Sequence, residues 1–428
     1  MPVAFLFCPD EDAMKKTTAV SVFALSIALA VGGVGTGTVF GVKPAAAAEK
    51  KVSQKLGGPL KEAQAMLQSR NYKGALSKLQ EIDAMPDKSA YESFVVLQLK
   101  YNAYAGMGDW GSAAKTIDAI LASGQTPPNE TPVRLKQLLQ AYAQQSSWAK
   151  VVETGSRYQK EVGPDPDVQI LLAQAYTNQR NYKAAEDAVR NVMKSAEARG
   201  ARPKEEWLGT LRFVEHEQGN AAGEQSALES LVQMYPSQKY WEDLLATEDK
   251  NLKGDVQTEL DIARVRLALG YLKTADNYTD MAQLALTENL PGEAQKVMQT
   301  GMQKNVFGQV TPTSRPQRLL DMSKKQVADE QANLAARDTA AKAAATGDDE
   351  VKLGVSYWTY GQNDKAIAAI QDGIKKGVKD KDNAQLRLGM AYLAAGKKSQ
   401  ADAAFRAIKP GTTSASIARL WTLYAATR

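Results

Sequence analysis

What constrains this chain most is a pattern that returns. Residues 353–366 read LGVSYWTYGQNDKA and residues 388–401 read LGMAYLAAGKKSQA. Leu353, Gly354, Tyr357, Gly361 and Ala366 fall on Leu388, Gly389, Tyr392, Gly396 and Ala401 at a shift of 35 residues. A unit of that length cannot bury an apolar face alone, so successive copies must stack and share a continuous core. Beyond Glu49 no β-branched alternating run bounded by turns competes with helical spacing. The chain is therefore expected to be all-α, a stack of repeated helical units.

Degenerate copies precede the clear ones. Residues 101–113 hold Tyr104, Gly108 and Ala113, with Tyr101 in place of the glycine after leucine. Residues 172–185 hold Leu172, Ala173, Tyr176, Tyr182 and Ala185, and residues 138–151 keep Leu138 and Tyr142 but put Val151 at the alanine position. Ala63, Tyr72, Ala75 and Leu79 mark a first copy. Leu211, Gly219, Leu228, Leu231 and Pro236 mark a weak fifth with Glu224 at the small-residue position, and Ala282, Ala285 and Ala294 mark another. The alanine positions are then 75, 113, 151, 185, 224, 294, 366 and 401. The two double-length gaps each have room for one more helix pair, at 240–272 and 316–346, although the second stretch fits the pattern badly.

This pattern resembles the tetratricopeptide repeat, a helix–turn–helix unit of about 34 residues with the same Leu-Gly, Tyr, Gly and Ala anchors. Small residues after the leucine and at the opening of the second helix let the two helices approach closely. The tyrosine fills the space between them, and the glycine before the turn can take positive φ. The resemblance covers about residues 55–410 and implies an α-solenoid superhelix. An N-terminal array over 49–304 would be followed by a linker at 305–316 (NVFGQVTPTSRP) and a C-terminal array over 317–428. Ile417, Leu420, Trp421 and Tyr424 lie at the spacing of a capping helix.

The resemblance also implies a concave groove that receives an extended peptide or a helix of another protein. The position after the small residue of each first helix would point into that groove. Gln64, Asn102, Gln140, Gln174 and Gln283 occupy it in five copies, and Phe213, Val355 and Met390 in the others, with Trp358 near Val355. A ladder of side-chain amides can both donate to and accept from an extended backbone. The competing expectation is that glutamine is abundant here and suits exposed helices. Trp358 is read either as groove lining or as core packing. Tyr72, Trp110, Trp148 and Tyr182 recur just after the turn and are expected to pack the second helix on the first.

The amino terminus reads as an export signal. Lys15 and Lys16 precede an apolar run from about Ala19 to Val42, and Ala45–Ala48 offer a cleavage site before Glu49. Asp10, Glu11 and Asp12 suit such a signal poorly, so translation is expected to begin at Met14. The alternative is an uncleaved inner-membrane anchor. The one cysteine, Cys8, lies upstream of that start and leaves a thiol-free mature chain, which suits an oxidising compartment, the periplasm.

Composition narrows the function. Of 428 residues, 53 are Lys or Arg and 48 are Asp or Glu, a net charge of +5 that no stretch concentrates, so no nucleic-acid partner is expected. A single histidine and a single cysteine exclude most His/Cys metal sites, and neither metal nor cofactor is expected. His216 stands between Glu215 and Glu217 with no second histidine, so it reads as a solvated side chain and not as a catalytic base. The expected function is a non-catalytic periplasmic scaffold for a protein or peptide in envelope assembly or transport. The alternatives are a solenoid module similar to that of lytic transglycosylases, or a structural spacer.

Overall fold

The computed structural model describes residues 51–252, 254–312 and 314–428, so the expected export segment lies outside the described residues. Among them are twenty α-helices, one 3-10 turn at Pro128–Glu130 and no strand. No helix among the described residues is long and apolar enough to cross a membrane. The chain forms two compact units that divide between Glu224 and Gln225.

The first unit is built of pairs: α1 (Gln54–Gln68) with α2 (Tyr72–Asp83), α3 (Ala90–Met107) with α4 (Trp110–Ala122), α5 (Thr131–Gln144) with α6 (Trp148–Glu161), and α7 (Pro166–Asn178) with α8 (Tyr182–Glu197). Helix α9 (Glu205–Glu217) follows, and the division falls in the first turn of α10 (Ala221–Met234). The second unit continues with α11 (Gln238–Asn251), α12 (Val256–Leu269), α13 (Ala275–Thr287), α14 (Pro291–Gln303) and α15 (Arg315–Ala343). It ends with α16 (Asp348–Thr359), α17 (Asn363–Lys376), α18 (Lys381–Ala394), α19 (Lys398–Arg406) and α20 (Thr413–Ala426).

One turn geometry joins the helices of a pair, and it sits five residues before each expected alanine position. Gly108, Gly219, Gly361 and Gly396 have φ of 69–74° there, and Arg70, Ser146, Arg180 and Asn289 have φ of 54–59°. The amide of the next residue reaches back to the carbonyl five residues before it, as Asp109 N–H to Tyr104 O at 2.9 Å and Lys397 N–H to Tyr392 O at 2.9 Å. That bond satisfies a carbonyl the helix end leaves open and makes every turn the same left-handed cap. Glycine takes this φ without strain, but four of the turns reach it with other residues.

Five residues on, the side chain must be small because the neighbouring helix is close. Ala75, Ala113, Val151, Ala185, Ala294, Ala366 and Ala401 are all fully buried. The glycine after the leucine obeys the same constraint: a Cβ on Gly354 would lie 2.5 Å from Ile370 Cγ1 and 2.9 Å from the Ala366 carbonyl. The weak fifth copy departs in a compensated way. Glu215 replaces the tyrosine, is fully buried, and is held by Arg190 and by Asn220 Nδ2 at 2.7 Å.

The structure corrects two expectations and extends a third. The region 305–316 does not separate two arrays. It lies within the second unit, where Val306 and Phe307 pack on the core of α12–α15 and the Phe307 ring meets Tyr278 edge-on at 6.2 Å. Residues 316–346 hold no helix pair but the single 29-residue helix α15. The aromatic residues after the turn also reach beyond their own pair: a Cβ on Gly106 of α3 would strike the Tyr72 ring, and Tyr182 packs edge-on against Phe213 of α9 at 6.3 Å. The pair at 240–272 is present as α11 and α12.

Candidate functional site

In the first unit the four expected amides lie on four successive first helices, α1, α3, α5 and α7. Asn102 and Gln140 are exposed, and Gln64 and Gln174 are half-buried. Their helices keep this side accessible because each buries its opposite stripe. In α5, for example, Leu135, Leu138, Leu139 and Tyr142 face the core while Gln140 does not. Phe213 of α9 is half-buried, its ring taken up by the contact with Tyr182. His216 leaves 65% of its side chain exposed, with Nδ1 3.0 Å from Glu224 Oε2.

The second unit treats the same positions differently. Gln283 remains exposed and accepts from Arg315 Nη2 at 3.1 Å. Met390, by contrast, is 3% exposed, its Sδ 3.5 Å from Arg387 Nη1, which corrects its expected role as open groove lining. Trp358 is half-buried; it packs on the core of α16–α19 and its ring lies 5.1 Å from the Arg264 guanidinium. Val355 lines a cavity of about 320 Å³ together with Leu260, Asn383 and Arg387. Helix α12 meets Trp358 through Arg264 and faces Val355 across the cavity.

Helix α12 presents Gln257, Asp261 and Arg264 at i, i+4 and i+7, which is one face. Gln257 Oε1 accepts from Asn383 Nδ2 of α18 at 3.1 Å. Asp261 takes both Nη atoms of Arg387, the Nη2 bond being 2.7 Å, and a 2.6 Å bond from Arg264 Nη1. Arg264 in turn grips Glu293 of α14 with two bonds of 2.8 and 2.6 Å. All four charged residues are 3–7% exposed, and their charges cancel. Burial opposes ionisation of Asp261, but Arg387 and Arg264 outweigh it and hold the carboxyl below its ordinary value. Burial likewise opposes the charge on Arg264, and Glu293 and Asp261 overcome it.

The sequence reading passed over this cluster because each member looks like a misplaced charge. Asp261 and Arg264 sit among Leu260, Ile262 and Val265, all at most 3% exposed, and Arg387 sits between the buried Leu386 and Leu388. Charges inside a helix with apolar residues on every side were the available signal.

The family comparison bears on the last repeats. Residues 351–416, spanning α16 to α20, match the tetratricopeptide repeat family. Over those residues the chain carries tetratricopeptide repeats. No curated protein matches it. Among solved structures it is similar to a tetratricopeptide repeat protein from Parabacteroides merdae, at 12% identity over 78% of this chain and 99% of that one, with a TM-score of 0.30. A C-terminal part of a repeat protein from Cytophaga hutchinsonii matches at 10% identity over 77% and 99%, TM-score 0.33. The TPR2AB domain of yeast Sti1, solved in a complex with pHSP90, matches at 12% identity over 70% and 100%, TM-score 0.26.

Proposed function

We propose that this tetratricopeptide-repeat protein is a non-catalytic, exported scaffold that binds an extended segment of a partner protein on the inner face of its first unit. The observation that carries the reading is the solvent-accessible amide series Gln64, Asn102, Gln140 and Gln174, repeated on α1, α3, α5 and α7. Amides paired with a partner's backbone hold its chain direction without demanding particular side chains, which suits a scaffold for envelope assembly or transport. Export rests on the basic, apolar and alanine-rich run of residues 14–48. A thiol-free mature chain fits the periplasm.

Crosslinking and affinity capture of the mature chain from periplasm, read by mass spectrometry, test the binding. A specific companion is expected, and it should be lost when Gln140 and Gln174 are both changed to alanine. Undiminished capture by that double variant would remove the amide face from the account. The mature N-terminus should read Glu49-Lys50-Lys51; a chain that retains Met14–Ala48 would be anchored instead. Incubation with murein sacculi should release no soluble fragments.

A further inference from the structure

Charges buried in a helix seam need a reason. A neutral cluster of two carboxylates and two guanidinium groups, fully desolvated, holds helices together no better than apolar side chains of the same volume would. What it changes is the open state. When such a seam parts, water takes the charges back, whereas an apolar seam would expose grease. Polar composition of this kind marks interfaces that separate and re-form.

Three features place such a seam between α12 and the last repeats of the second unit. Its polar contacts join residues 126 apart in sequence, Asp261 with Arg387 and Gln257 with Asn383. It is incompletely packed, since the cavity of about 320 Å³ lies along it, lined by Gln257, Leu260 and Arg264 on one side and Val355, Asn383 and Arg387 on the other. The surface it meets belongs to α16 and α18, the first helices of the two clearest repeats: Arg264 lies over the Trp358 ring and Asp261 holds Arg387, while Val355 faces α12 across the cavity. Leu260, at the edge of the cavity, also joins the core of Leu272, Tyr278 and Met281, which ties α12 to α13. Opening therefore requires α12 to part from α16, α18 and α20.

We propose that α12 is an internal stand-in for a ligand: it closes the inner face of the last two repeats, and a partner helix that carries a carboxylate in register with Asp261 takes its place on Arg387. The ligand class follows from the contacts. Arg387 needs a bidentate carboxylate, Asn383 needs a side-chain amide one turn earlier, and the face of Val355 and Trp358 needs an apolar or cationic residue one turn later. This second site is separate from the amide face of the first unit and stands or falls without it.

The test uses the full chain and a fluorescent peptide of residues 255–270. Asp261→Asn should unlatch α12 while leaving Arg387 in place, so the peptide should bind this variant at least tenfold more tightly than the unchanged chain. A peptide with the same Asp261→Asn change should lose at least tenfold, and Arg387→Met in the chain should abolish the gain. Equal binding of both peptides, or equal binding to both chains with helicity retained by circular dichroism, overturns the proposal. Native-state hydrogen exchange of the unchanged chain tests the opening without any variant. Amides of 257–265 and 383–391 should exchange by a shared opening at least tenfold faster than those of 278–285. If all three segments exchange only together, the seam is a fixed core and the latch does not exist.

Discussion

At the residue scale the left-handed turn residue separates what repeats strictly from what merely recurs. All eight turns need positive φ, but only Gly108, Gly219, Gly361 and Gly396 supply glycine, so a search for glycine finds half of them. Arg70, Ser146, Arg180 and Asn289 are forced into that region by the caps on either side. Replacing Arg180 with glycine should relieve the strain and raise stability by about 0.5–1 kcal/mol, measured as a higher melting temperature. A lower one would mean that the Arg180 side chain does more than fill its position. Glu92 shows a different economy at the start of the first unit. It is 4% exposed, and it accepts from Ser53 N–H at 2.9 Å and Ser89 N–H at 2.8 Å while its own amide is capped by Ser89 Oγ. Burial opposes its charge, but these donors prevail and lower its pKa to about 2. Because the folded value lies below the ordinary one, the stabilisation is complete above about pH 4.5 and disappears as pH falls toward 2. Glu92→Ala should cost about 1–3 kcal/mol at neutral pH by orphaning two amides, and denaturant titrations at pH 7 and pH 3 should converge for the variant and the unchanged chain.

At the element scale the departure from expectation is α15. Its 29 residues extend about 44 Å, and only Leu319, Leu320, Ser323 and Ala341 are buried. A pair was expected there from gap length alone. The stretch has neither glycine nor proline between Pro316 and Gly347, so nothing in it could turn the chain. The middle of α15 is tied down by one carboxylate. Glu330 accepts from Ser356 Oγ at 2.8 Å and from Tyr360 OH, and pairs with Arg337. Burial and then Glu330 push the Tyr360 phenol above its usual value. Glu330→Ala should let the Tyr360 pKa fall, seen in ultraviolet titration, and should speed hydrogen exchange across 327–340. No change in either would assign the attachment of α15 to its buried ends.

On the scale of the whole molecule, the second unit is where a row of pairs becomes something else. Its capping helix α20 packs on both α12 and α18, and Arg419 approaches Glu229 of α10 at 3.4 Å and Glu248 of α11 at 3.8 Å. Burial raises the pKa of Glu248 while Arg419 opposes the rise. Arg419→Ala should therefore raise it further, and because a raised carboxyl favours the protonated fold, the variant should lose stability as pH increases above about 4.5. An NMR titration of the glutamate carbon checks the direction, and an unmoved value would place Arg419 outside the electrostatics of α20.

What the sequence by itself determined is local and periodic: the helix pairs, their turns, the small residues where helices meet, and the repeat family. Those features need only neighbours within one unit and the next, so spacing alone reveals them. The division at Glu224 and the pairing of α12 with Trp358 and Arg387 were decided by contacts between residues far apart in the chain. Asp261 and Arg387 carry no periodic mark, and their pairing exists only once the intervening helices have curved far enough to bring α12 against α18.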